Sequence, residues 1–286
     1  MYYRWTEDGG GFCIVGTHVD DMVPLYNKKG RTLRDQLWEA LSKGMRLVDE
    51  GDATWVLKTQ ILHDPQRGVT KITQASYTEE VLRRFDFTGA KPADTHTYDQ
   101  GPMAEMTEAD LPKTPEEAAS VGKTRPFREL LGCLWWLATI SRVDILPAVQ
   151  KASRYISRPS EKLWKWMTKV LRYLVGTVNR GLVYTRPAWL VQLQDSPLRF
   201  GGKGRLVTGA ADASFADASG MRSTLGYCLY VLGNLVDCNT KCSTRVLSSS
   251  TEAECMALVL CSKANAWLRD FLDEIGIFGP YFGQGG

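Results

Sequence analysis

Asp20 and Asp21 stand side by side between two apolar arms, FCIVGT and MVPLY. Adjacent carboxylates on a tight hairpin can bind magnesium ions whose remaining ligands are substrate phosphates. A second acidic pair is split along the chain: Asp212 directly follows the apolar run ending at Ala210 and Ala211, and Glu254 falls in a helical pattern. A strand-end Asp and a helical Glu can meet at a sheet edge and hold two metals, which stabilise both the attacking and the leaving oxygen of a phosphodiester cleavage. Taken alone, the first pair reads first as a solvated turn and the second as plain surface acids.

Cations form a third pattern. Lys162, Lys165, Lys169 and Arg172 recur along one face of a segment whose other face carries Leu163, Trp166, Met167, Val170, Leu171 and Leu174. The apolar stripe predicts a packed helix, and the basic face offers positive charge at helical pitch to a nucleic-acid backbone or simply to solvent. Other constellations fail on spacing. Val121-Gly122-Lys123-Thr124 ends like a phosphate-binding loop, but the earlier glycine of that motif falls at Glu117. His18, His63 and His96 lie too far apart for a shared metal or a triad. Seven scattered cysteines fit reduced thiols, and Cys238, Cys242, Cys255 and Cys261 lack the spacing of a zinc site.

The elements that must position these groups follow from pattern. With 286 residues and 44% hydrophobic content the chain is long enough for about two domains and can bury a core. Its net charge of +3 leaves any nucleic-acid affinity to a clustered face. No apolar run is long enough for a membrane span and no signal-peptide pattern opens the chain, which predicts a soluble intracellular protein with no membrane partner. Alternation predicts a hairpin over 12–26, and Leu33, Leu37, Leu41 and Met45 predict a helix over 32–48. WVLKTQIL reads as one strand, followed by a turn at 64–68, a strand VTKIT and a helix near 75–86. Pro92, Pro102, Pro112 and Pro115 mark 90–125 as a loose linker. Helices follow at 126–140, 145–157 and 160–175, the second opened by Asp144 and the third by Ser160. Then come strands GLVYT, RLVTGA and GYCLYVLG, a turn at Gly201 to Gly204, and a helix from about Ser250 to Glu274.

Read together, these segments resemble the Pol polyprotein of copia-type LTR retrotransposons over nearly the whole chain. His18-Val19-Asp20-Asp21-Met22 is similar to the Tyr-Val-Asp-Asp motif of reverse transcriptase, ITQASYTEEVLRRFDF at 72–87 to I-x-Q-x-x-Y…L-x-R-F, and FRELLG at 127–132 with SRVDI at 141–145 to Y-R-x-L-x-G…T-R-P-D-I. LRYLVGTVNRGLVY at 171–184 resembles L-R-Y-L-x-G-T-x-x-x-G-L-x-Y. ADASFA at 211–216 resembles S-D-A-D-W-A of ribonuclease H, RSTLGY at 222–227 resembles R-x-S-T-x-G-Y, and SSTEAE at 249–254 is identical to its counterpart.

The resemblance implies an α+β protein: a reverse-transcriptase palm remnant and start of thumb over 1–89, a linker over 90–125, thumb and connection helices over 126–184, and a truncated ribonuclease H-like domain with a mixed three-stranded sheet and one helix over 185–286. It assigns Asp20 and Asp21 to the polymerase metal centre and Asp212 and Glu254 to the ribonuclease H centre, with Mg2+ as cofactor and an RNA–DNA hybrid or template-primer as partner, contacted through Lys162, Lys165, Lys169 and Arg172. The upstream palm aspartate and the downstream D-N-Q-type aspartate of the family fall outside this sequence. His18 stands for the motif's Tyr, Lys58 for a glycine and Ser214 for an Asp. The expectation is a catalytically incomplete fragment of marginal stability. The alternatives are a non-catalytic nucleic-acid-binding or partner-binding module, and one portion of an enzyme completed by a neighbouring reading frame or another chain.

Overall fold

The computed structural model describes residues 1–97, 106–186, 207–218 and 220–276. They fall into two compact units: one is formed by residues 1–54 with 207–208 and 263–276, the other by 55–186 with 209–262. The expected turn at Gly201 to Gly204 lies outside the described residues.

The first unit opens with an antiparallel sheet of β1 (Tyr2–Trp5), β2 (Phe12–His18) and β3 (Asp21–Tyr26) in that order. The expected hairpin is therefore present, in a register that places Ile14 between Tyr3 and Leu25. Alternation puts Cys13 and Val15 on one face, where Leu33 and Leu37 of α1 (Arg31–Ser42) cover them. Asn27 fixes the entry to the helix, its side-chain oxygen accepting from the amides of Phe12 and Gly30. Gly30 is obligatory, since a Cβ would collide with the Phe12 carbonyl. The helix stops at Ser42, short of the expected 48. Gly44 weakens the next turn, and Met45 and Val48 stay exposed, with no apolar surface to reward continuation.

In the second unit, β4 (Trp55–Val56), β5 (Thr59–Asp64), β6 (Val69–Thr73) and β7 (Gly181–Thr185) form a sheet in that order. The single strand expected over WVLKTQIL is in fact a hairpin. Leu57 and Lys58 take φ of 49° and 59°, and Val56 pairs with Thr59. Tight turns of this kind normally advertise themselves with Asn or Gly. Leu57 and Lys58 carry no such signal, and the turn is hidden in the sequence.

Five helices build the main core: α2 (Ala75–Arg84), α3 (Pro115–Thr124), α4 (Phe127–Ile140), α5 (Leu146–Ser153) and α6 (Glu161–Gly176). The apolar stripe of α6 is buried as expected, with Leu163, Met167, Leu171 and Leu174 fully enclosed against Leu130, Leu134 and Leu137 of α4 and Val149 of α5. Full burial of each such side chain stabilises the fold by about 1.5–3 kcal/mol. Ser160 caps α6, its hydroxyl accepting from the Leu163 amide at 3.2 Å. The stretch read as a loose linker holds structure: α3 begins at Pro115 with Thr114 as its cap, and Met106 and Leu111 join the core.

Asp144 does not open α5, whose cap position is Ile145 with no side-chain bond. It serves the buried guanidinium of Arg142 instead, which is 1% exposed. Arg142 donates to both Asp144 carboxylate oxygens at 3.0 and 2.9 Å, to the Thr177 carbonyl at 3.0 Å and to the Thr177 hydroxyl at 2.8 Å. Tyr173 donates its hydroxyl to Asp144 at 2.8 Å, and Arg180 donates to the Tyr173 oxygen at 2.6 Å. Next to this network the Ser141 hydroxyl donates to the buried Gln74 side chain at 2.9 Å.

The remaining sheet has the order β10 (Asn234–Val246), β9 (Arg222–Val231), β8 (Val207–Ala218). It is antiparallel rather than mixed: β9 and β10 are joined by a two-residue turn at Leu232 and Gly233, and the link from Ala218 to Arg222 is too short for a parallel crossover. α7 (Ser250–Glu274) has the expected bounds, and its Ala253 and Ala257 pack with Leu225, Leu247, Ala211 and Ala213. Arg154 ties this sheet to the helices, donating to Thr224, which donates in turn to Asp217. Among the described residues no helix is long and apolar enough to cross a membrane.

Replacing Arg142 by Ala leaves a partly buried carboxylate without its partner and is expected to cost about 3–5 kcal/mol in urea unfolding. Burial alone would raise the pKa of Asp144, but hydrogen bonds from Arg142 and Tyr173 and the Arg142 charge hold it below the usual carboxylate range. Its contribution is therefore complete above the unfolded value of roughly pH 4 and drains away as pH falls through the lowered folded value. The stability gap between wild type and Asp144→Asn should be widest at neutral pH and close below that range.

Candidate functional site

The hairpin places the first carboxylate pair at its tip. His18 pairs with Asp21, leaving Val19 and Asp20 as the two turn residues, and both aspartates are exposed. Val19 takes φ 52° and is 93% exposed. A β-branched residue in the left-handed region is a genuine outlier, strained for the sake of a tight turn.

The second pair is arranged differently from expectation. Asp212 lies within β8, which runs on to Ala218, rather than at a strand end. Ala211 and Ala213 face the core beneath α7, so the pleat turns Asp212 to the opposite, exposed face. Glu254 is half-buried one turn into α7. Within the same hexapeptide Ser249 and Glu252 have a structural task. The Ser249 hydroxyl accepts from the Glu252 amide at 3.1 Å, and the Glu252 carboxylate accepts from the amide and hydroxyl of Ser248 at 2.6 and 2.7 Å. Those bonds, first the Ser248 amide, lower the pKa of Glu252. This is a capping arrangement that starts the helix bearing Glu254.

Two-metal phosphoryl chemistry asks for several carboxylates converging on one point. Among the described residues no group of three or more His, Cys, Asp or Glu side chains is disposed to hold a metal ion.

The basic stripe of α6 is partly committed to internal contacts. Lys162, 14% exposed, pairs with Asp110 at 2.7 Å, and this hydrogen bond, with those from Thr107, lowers the Asp110 pKa to about 2. Arg172 donates to the Lys91 carbonyl at 2.9 Å, while the Ala93 amide donates to the Arg172 carbonyl. Lys169 is half-buried and Lys165 exposed. The stripe therefore anchors segments on either side of residues 98–105, and Lys165 presents the most accessible charge.

A groove that the sequence reading passed over lies along α4. Arg128, Leu131, Gly132, Trp135 and Trp136 line it, with Ser153, Ile156 and Ser157 opposite, around an open volume of about 620 Å3. Gly132 sits inside a helix, where glycine costs about 1 kcal/mol relative to alanine. No atom outside the helix backbone would lie within 4 Å of a Cβ there, so nothing in the fold demands the glycine. Glu129 is paired with Arg84, and exposed Arg128 has no ion pair among the described residues. A helix-interior glycine one turn from a Trp pair was the available signal.

No protein-family model and no solved structure matches this chain. Among curated proteins it is 30% identical over 280 residues to "Retrovirus-related Pol polyprotein from transposon TNT 1-94" of Nicotiana tabacum, covering 96% of this chain and 19% of that protein. It is 27% identical over 272 residues to "Retrovirus-related Pol polyprotein from transposon RE2" of Arabidopsis thaliana, covering 95% and 17%. An "Uncharacterized mitochondrial protein AtMg00810" of Arabidopsis thaliana is 28% identical over 251 residues, covering 87% and 92%. The chain belongs to the retrovirus-related Pol polyproteins of copia-type transposons. It spans less than a fifth of the length of the transposon polyproteins it matches.

Relieving the strained turn tests how the hairpin tip is held. Val19→Gly should raise stability by about 0.5–1 kcal/mol, the left-handed penalty less the extra chain entropy of glycine. A urea midpoint unchanged or lowered would mean that the turn is not under strain.

Proposed function

We propose that this chain is the portion of a Pol polyprotein that joins reverse transcriptase to ribonuclease H, and that alone it completes neither catalytic centre. The observation that carries the second half is the disposition of the acids: Asp20 and Asp21 project from an exposed turn, and Asp212 is pleated away from the face that α7 covers. Asp20, Asp21, Asp212 and Glu254 are ligands in waiting, and magnesium chemistry at them requires carboxylates from another segment or chain. The motifs themselves support the first half, because SRVDI and LRYLVGT meet in one hydrogen-bonded network around Arg142. Such a body can persist when catalysis is lost.

A second reading is a nucleic-acid-binding module, and the groove along α4 favours it. Indole faces at Trp135 and Trp136 provide stacking surfaces, Arg128 lies seven residues before Trp135 on the same helix, and Gly132 lets a strand approach the backbone. The helix rise separates Arg128 from Trp135 by roughly 10 Å, a span suited to one or two nucleotides. This groove, with Lys165 as an outlying charge, takes the role first expected of the whole α6 stripe.

Purified chain should give no primer extension and no hybrid cleavage above background with magnesium; turnover abolished by Asp21→Ala or Glu254→Ala would overturn the inactive reading. Binding of a template-primer duplex should weaken with salt and fall about tenfold or more in Gly132→Phe, which fills the groove, while Gly132→Ala keeps it. Equal binding by wild type and Gly132→Phe would remove the groove from the account.

A further inference from the structure

Cys228 and Cys238 are direct partners across the antiparallel β9–β10 ladder. Opposed residues of such a ladder point to the same face with Cβ atoms about 4.5–5.5 Å apart, and a disulfide needs about 3.5–4.5 Å, so closing one asks for a shift of roughly 1 Å. Both thiols are free and half-buried, and Cys238 borders the helical core. Half burial leaves a path for a small reagent while shielding the pair from bulky ones.

We propose that Cys228 and Cys238 form a reversible cross-strand disulfide by exchange with a low-molecular-weight disulfide such as oxidised glutathione. The Cys228 thiolate attacks one sulfur of the reagent, forming a mixed disulfide and releasing one thiol. Cys238 then loses its proton and attacks the Cys228 sulfur, closing the cross-strand bond and releasing the second thiol. The two protein thiols are oxidised, the reagent disulfide is reduced, and the two protons end on the released thiols. Burial first, then the neighbouring Cys228 and Asp237, pushes the Cys238 thiol up to about 12. Closure is therefore the slow step, and because a thiol of high pKa is a poor leaving group, reopening by attack at Cys228 with Cys238 departing is slow as well. The closed form staples the β9–β10 hairpin beside the helical core.

Cleavage after Arg222 and Lys241 yields a peptide, 223–241, whose only cysteines are Cys228 and Cys238. The test treats folded Cys255→Ser chain, lacking the exposed thiol, with oxidised glutathione, then alkylates, digests without reductant and weighs this peptide; wild type runs in parallel and covers any folding defect of the variant. The expected product is lighter than the dithiol by two hydrogen atoms, resists alkylation, reverts with dithiothreitol and disappears in Cys238→Ser, and its formation raises the Tm by several degrees. A peptide alkylated at both thiols, a persistent glutathione adduct at Cys228, or linkage to any other cysteine, with the helical circular dichroism retained, would overturn the proposal.

Discussion

A guanidinium that leaves water must find acceptors for its N–H groups and a counter-charge inside the protein, because an unpaired buried cation costs far more than one side chain contributes. Arg142 meets that demand with Asp144 from its own turn and with the hydroxyl and carbonyl of Thr177, thirty-five residues on. Satisfying it fixes where α4 ends, how α6 ends and how the chain leaves for β7. The strength of the arrangement lies in its completeness, since removing one member strands the rest.

That constraint changes what the family motifs mean. SRVDI at 141–145 and LRYLVGT at 171–177 meet in space because Arg142, Asp144, Tyr173 and Thr177 bond one another, and Gln74 from the ITQ segment lies next to them through Ser141. In SSTEAE, Ser249 and Glu252 start a helix while Glu254 is left over. The RST segment contributes Thr224, which bridges Arg154 and Asp217. These residues organise packing, a task that stands apart from any chemistry at the acidic side chains.

Periodic elements were legible in the sequence. The hairpin about Asp20, the apolar stripe and Ser160 cap of α6, and the full extent of α7 all follow from spacing and capping chemistry. What escaped has local physical reasons. The turn at Leu57 and Lys58 uses no turn residue, Pro115 opens a helix where prolines had suggested a linker, and Asp144 looks like a cap although its carboxylate is taken by Arg142 two residues before it and by Tyr173 across the fold. Asp212 stood out as the residue closing an apolar run, but the strand continues through it and its alternation turns Asp212 from the helix side, a consequence visible only once Ala211 and Ala213 are placed. Gly132 drew notice in the sequence only as the last residue of the FRELLG match, because its place in a groove depends on empty space beside it, which sequence does not record.

The proposed reading, a sound helical body carrying unassembled acids, makes a direct statement about divalent ions: Asp212 and Glu254 do not share one. Titration of isotopically labelled chain with Mn2+, followed by paramagnetic broadening of backbone amide signals, examines each carboxylate separately. Weak broadening that needs millimolar ion, and that follows different concentration dependences near Asp20 and Asp21, near Asp212 and near Glu254, is the predicted result. Saturable broadening at micromolar ion that affects Asp212 and Glu254 together would contradict it.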